Sequence, residues 1–83
     1  MNSQDVMIVF TDILLDHGAD INAKDDDLKS TPLAWHARYG HEQVVGFLLS
    51  RGAATNLADD EPWATPLAWA QKKGHEGITA LFQ

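Results

Sequence analysis

The sequence predicts an all-α solenoid of stacked helix-turn-helix units joined by extended, hairpin-like turns. Three observations carry that prediction. The segment Thr31-Pro32-Leu33-Ala34-Trp35 returns as Thr65-Pro66-Leu67-Ala68-Trp69, and Gly40-His41-Glu42 returns as Gly74-His75-Glu76. Leu14-Leu15, Gly18-Ala19 and Asn22 return as Leu48-Leu49, Gly52-Ala53 and Asn56. Every pair is offset by 34 positions, as 65 is from 31. A period in that range marks supersecondary units that bury their apolar faces only by stacking on one another.

The 83 residues form a single domain. Residues 1–30 make a partial first unit. Ser3 to Asp16 reads as one helix with Val6, Val9, Phe10, Ile13 and Leu14 on one side, ended by Gly18, and Ala19 to Ser30 reads as a turn. Residues 31–64 make the second unit. Thr31 is an N-cap whose hydroxyl accepts a backbone N–H that the first helical turn leaves unpaired, and Pro32 follows where its missing N–H costs nothing. This short helix runs to about Tyr39, where Gly40 supplies the left-handed residue that ends it. A second helix runs from about Glu42 to Ser50, with Val44, Val45, Phe47, Leu48 and Leu49 as a wide apolar stripe, and Gly52 ends it. Ala53 to Ala64, with Asn56, Asp59, Asp60 and Pro62, reads as an extended turn. Residues 65–83 repeat the scheme in a truncated third unit: Thr65 caps, Pro66 opens, Gly74 breaks, and Glu76 to Phe82 is helical.

These residues resemble the ankyrin repeat. Thr31-Pro32-Leu33, Gly40-His41, Val44-Val45, Leu48-Leu49, Gly52-Ala53 and Asn56 match its pattern in order. Leu14-Leu15, Gly18-Ala19-Asp20 and Asn22 match the tail of a preceding repeat, and Thr65-Pro66-Leu67 and Gly74-His75 match the next one. The departures are specific. The family's tetrapeptide histidine, which knits neighbouring turns, is Ala34 and Ala68 here. The turn glycine is absent, with Lys29 and Ala64 nearby. The Asn-to-Thr spacing is one residue longer than the family's, so the turn tips are expected to be longer and irregular. His36 stands where the family prefers alanine, so its helix must make room for an imidazole.

Composition excludes several function classes. The chain has no cysteine, so no disulfide framework and no thiolate site exist. No apolar run approaches the ~20 residues that span a bilayer. The N-terminus carries Asp5 and Asp12 and no base before Lys24, the wrong flank for a signal peptide. A cytoplasmic location is the default expectation, with nuclear and secreted settings left open. The net charge is −6. All of it falls in residues 1–27, where seven acids face Lys24 alone; beyond them five acids balance five bases. An acidic chain is a poor ligand for phosphate backbones, so no nucleic-acid partner is expected. The asymmetry points a basic partner toward the N-terminal half.

No catalytic set emerges. There is no Gly-x-Ser-x-Gly, no phosphate-cradling glycine loop, and no serine with a matched base and acid. His41 and His75 lie one repeat apart, too far to share a metal ion, and His36 and His41 straddle the helix break at Gly40, so no helical face pairs them. Asp25-Asp26-Asp27 and Asp59-Asp60-Glu61 fail the calcium-loop pattern: counting from Asp20, Asp25 stands where glycine is needed and Thr31 where glutamate is needed. No enzyme, cofactor or metal site is expected.

The resemblance implies a protein-binding module whose turns and first helices line a concave groove. The matching positions are Lys24, Asp26, Asp27, Leu28 and Lys29 in the first turn, Arg38 and Tyr39 at the end of the first helix, Asp59, Asp60, Glu61 and Trp63 in the second turn, and then Lys72 and Lys73. Trp35 and Trp69 are expected to pack between repeats, with Tyr39 and Trp63 as apolar anchors. About two and a half units leave both apolar ends without a cap. That points to a homo-oligomer pairing through those ends, or to a regulatory piece of a larger enzyme or channel.

Overall fold

A computed structural model describes residues 2–24, 30–57 and 60–82. Its helices are α1 (Ser3–Asp16), α2 (Pro32–Tyr39), α3 (Glu42–Ser50), α4 (Pro66–Lys73) and α5 (Glu76–Leu81), with a 3₁₀ turn at Pro62–Ala64. The caps read from the sequence are in place. Thr31 Oγ1 accepts from Ala34 N at 3.3 Å, and Thr65 Oγ1 accepts from Ala68 N at 3.1 Å. The one departure in element content is the 3₁₀ turn inside the second extended segment. Pro62 presets its first residue, and Ala64 N closes it on Glu61 O at 2.9 Å.

Gly40 and Gly74 end α2 and α4 at φ +78° and +74°. The residue after each donates back five positions: His41 N to His36 O and His75 N to Ala70 O, both at 2.9 Å. Ala19 N to Leu14 O and Ala53 N to Leu48 O close α1 and α3 in the same way. This double closure sets the residue after the glycine over the residue five back.

α1 takes the outer position that α3 and α5 hold in the later units, and among the described residues no inner helix precedes it. Val6 stands where Gly40 and Gly74 break the later units, so nothing ends the helix there and α1 runs straight through. It docks on α3 at both ends. Gln4 Oε1 accepts from Gln43 N at 2.8 Å and Val44 N at 3.3 Å, supplying the cap that His41 does not give α3. At the other end the Arg51 guanidinium pairs with the carboxylates of Asp12 and Asp16.

Stacking buries one continuous core of Leu33, Ala37, Val44, Val45, Leu48, Ala53, Ala70 and Ile78, edged by Met7, Ile8, Ile21, Leu49 and Phe82. Leu33 and Leu67 each follow the proline that opens their helix. Leu33 is fully buried, whereas Leu67, in the last layer, is half-buried. The expected apolar side of α1 has no cover: Val6, Val9, Phe10, Ile13 and Leu14 are 43–62% exposed. Among the described residues no helix is long and apolar enough to cross a membrane.

Candidate functional site

α2 and α4 lie side by side as the inner layer, and their register is fixed by His75. Its Nε2 lies 3.0 Å from Arg38 O, and its ring packs so closely on Gly40 that a Cβ there would stand 2.8 Å from it. Gly40 therefore serves twice, as a left-handed stop and as the flat spot on which the next unit rests.

This register lays Arg38 of α2 across Trp69 of α4. The guanidinium carbon is 4.5 Å from the Trp69 ring centre and 5.4 Å from that of its own neighbour Tyr39. Lys72 Nζ is 5.4 Å from the Trp69 ring, and Trp63 meets it edge-on at 6.3 Å. Trp35 stacks on Tyr39 at 5.3 Å, and Tyr39 stacks on His41 at 6.3 Å. The inner face is thus an aromatic row with cations laid on it, each such contact worth about 0.5–2 kcal/mol. Trp35 and Trp69 hold equivalent helix positions with different surroundings. Trp69 is buried under the Arg38 side chain from the preceding unit, while Trp35 leans on Tyr39. The buried Trp69 Nε1 has no acceptor among the described residues.

His36 and His41 are paired, contrary to expectation. Their Nδ1 atoms lie 2.8 Å apart, one donating and the other accepting. The glycine closure is the reason: with Gly40 left-handed, His41 folds over His36, five residues back, although no common helical face joins them. The pair removes His41 from the role that His75 fills, bonding backbone of the preceding unit. Burial, and secondarily the charge of His41, push the His36 pKa down to about 4. Among the described residues no group of three or more histidines, aspartates or glutamates converges as a metal cage would require.

The expected partner-binding residues divide into three sets. Tyr39 and Trp63, at 53% and 52% exposure, stand out from the inner layer together with Arg38, Lys72, Lys73 and Glu61. Lys24 and Asp60 instead pair with each other at 2.6 Å across the two turns, with side chains mostly buried. Together with Asn22 Oδ1 accepting from Ala54 N at 2.9 Å, they knit turn to turn where the tetrapeptide histidine is missing. Asp26, Asp27, Leu28, Lys29 and Asp59 lie outside the described residues, as does Asp25. Two shallow depressions lie away from the aromatic row: one of about 400 Å³ lined by α4 and α5, the other of about 260 Å³ around Leu67 and Phe82.

A model of ankyrin repeats in three copies matches residues 5–83. No curated protein matches the chain.

Proposed function

From the premise that the chain belongs to the ankyrin-repeat family, whose repeats generally serve as protein-protein interaction modules, we propose that it binds a partner protein across the face formed by α2, α4 and the turn tips. The observation that carries this reading is the pair of large aromatic side chains, Tyr39 and Trp63, held half-exposed at the margins of the cation-bearing row. Aromatic residues standing on a rigid scaffold are the usual centres of interface energy. Arg38, Lys72, Lys73 and Glu61 frame them, while Lys24 and Asp60 act by holding the two tips in register. Asp26, Asp27, Leu28, Lys29 and Asp59 belong to the same proposed surface. Such modules are typically non-catalytic, and a cytoplasmic setting suits the cysteine-free composition.

The test is a pull-down with mass spectrometry on the full chain beside the Tyr39→Ala/Trp63→Ala variant. A partner held by the native chain and lost by a folded variant supports the reading. Equal capture by both contradicts it.

A second reading rests on its own observation. The exposed stripe Val6, Val9, Phe10, Ile13 and Leu14 is a contiguous apolar face of the kind that marks contacts. In that reading the chain self-associates through α1. Light scattering behind size exclusion decides it, since a clean monomer at high concentration removes the idea.

A further inference from the structure

Charge is sorted by layer in this protein, and the sorting is nearly complete. The inner helices Pro32–Tyr39 and Pro66–Lys73 contain Arg38, Lys72 and Lys73 and not one Asp or Glu, although the chain carries 12 acids and only 6 Lys and Arg. The outer helices hold Asp5, Asp12, Asp16, Glu42 and Glu76, with no base inside them. The helix macrodipole accounts for cations in the last turns of α2 and α4. It does not account for the exclusion of carboxylates from the whole layer, nor for the way Arg38 is held.

Among the described residues, Arg38 is oriented by rings alone. Trp69 and Tyr39 fix its guanidinium, while none of its five N–H donors has an acceptor among the described residues. Arg38, Lys72 and Lys73 also have no carboxylate partner among those residues. A half-buried guanidinium kept in place, with its hydrogen-bonding edge unspent, is prepared for an anion that arrives from outside.

We propose that the segment docking on this face is an acidic peptide stretch of the partner protein, its carboxylates taken by Arg38 and Lys72 and its apolar side chains laid on Tyr39 and Trp63. This rests on the protein-binding reading and narrows it. Asp5, Asp12 and Asp16 of the N-terminal acidic surplus lie on the outer helix α1, and Asp60 in the second turn is already paired with Lys24.

The experiment selects displayed peptides of about 12 residues on the full chain, then measures the enriched ones by fluorescence anisotropy. Enriched peptides with net negative charge support the inference. So does an affinity that falls about tenfold or more in Arg38→Gln, falls further with Lys72→Gln, and weakens as NaCl rises from about 50 to about 300 mM. Urea midpoints show that the variants fold, and Lys72→Gln, at an exposed position, provides a second variant that leaves the core untouched. Neutral or basic peptides, or acidic ones indifferent to both substitutions, overturn the inference. If those peptides are still lost in Tyr39→Ala/Trp63→Ala, the groove reading survives without the acidic partner; if nothing is enriched, or that variant also changes nothing, both fall. A fluorescent single-stranded oligouridylate that binds through Arg38 where no peptide does would overturn the assignment in favour of nucleic acid.

Discussion

Replacing His36 by alanine should remove a step from the pH dependence of stability. Half-buried and bonded to His41, His36 keeps its neutral form until the pH nears 4, against 6.5 when the chain is unfolded. The unfolded chain therefore binds the proton first. The stability attached to neutral His36 is complete above about pH 6.5 and is lost as the pH falls toward about 4. Each tenfold change in proton affinity is worth about 1.4 kcal/mol, so the full displacement corresponds to about 3 kcal/mol. Solvent at the ring's exposed edge screens part of it and leaves about 1–2 kcal/mol. Urea unfolding followed by tryptophan fluorescence, at steps from about pH 7.5 to about 4.5, reads this directly. The native chain should lose about 1–2 kcal/mol more than His36→Ala across that window. Contributions that the two proteins share cancel in the comparison. Parallel curves for the two proteins would refute a half-buried His36 held in its neutral form.

Other substitutions probe the scaffold. Gly40→Ala should cost about 2 kcal/mol or more, because φ is +78° and the new methyl group meets the His75 ring. Gly46→Ala should instead stabilise by about 0.5–1 kcal/mol, since it lies inside α3 with no atom within 4 Å of the added carbon; both are read from urea midpoints. Gln4→Ala uncaps α3 and should cost about 1 kcal/mol, with faster amide exchange at Gln43 and Val44. Arg51→Ala should cost at most about 1 kcal/mol, and the difference should vanish in high salt, because its pairs with Asp12 and Asp16 are solvent-exposed.

Helix boundaries were the most legible feature of the sequence, since each is written by a local device. Thr31-Pro32 and Thr65-Pro66 open helices, Gly18, Gly40, Gly52 and Gly74 close them, and all five α-helices lie within a residue of their expected ends. The His36–His41 pair escaped because helical periodicity compares positions three and four apart, whereas a glycine closure joins positions five apart. Gly40 alone carries that signal in the sequence, because its left-handed conformation folds His41 over His36. The Lys24–Asp60 pair was hidden for another reason, because turn-to-turn contacts depend on the register between units and not on any local pattern. A count of acids and bases along the chain does not reveal the sorting of charge by layer. Counting them by helix layer separates Pro32–Tyr39 and Pro66–Lys73 from everything else, and that count needs only the repeat. Tyr39 and Trp63 were legible as aromatic residues at a helix end and a turn tip. That Trp69 lies beneath a neighbour's guanidinium follows from the register between units and is written in no local pattern.

The proposed binding face exists only if α2 and α4 lie against each other in the register that puts Arg38 on Trp69 and His75 on Gly40. Proton NMR of the full chain measures both contacts at once. Ring-current shifts should move the Arg38 side-chain protons upfield, with cross-peaks from them to the Trp69 indole and from His75 Hε1 to the Gly40 Hα protons. Arg38 protons at their unstructured positions, with neither set of cross-peaks, would mean that the inner layer is not built this way and that the proposed binding face does not exist.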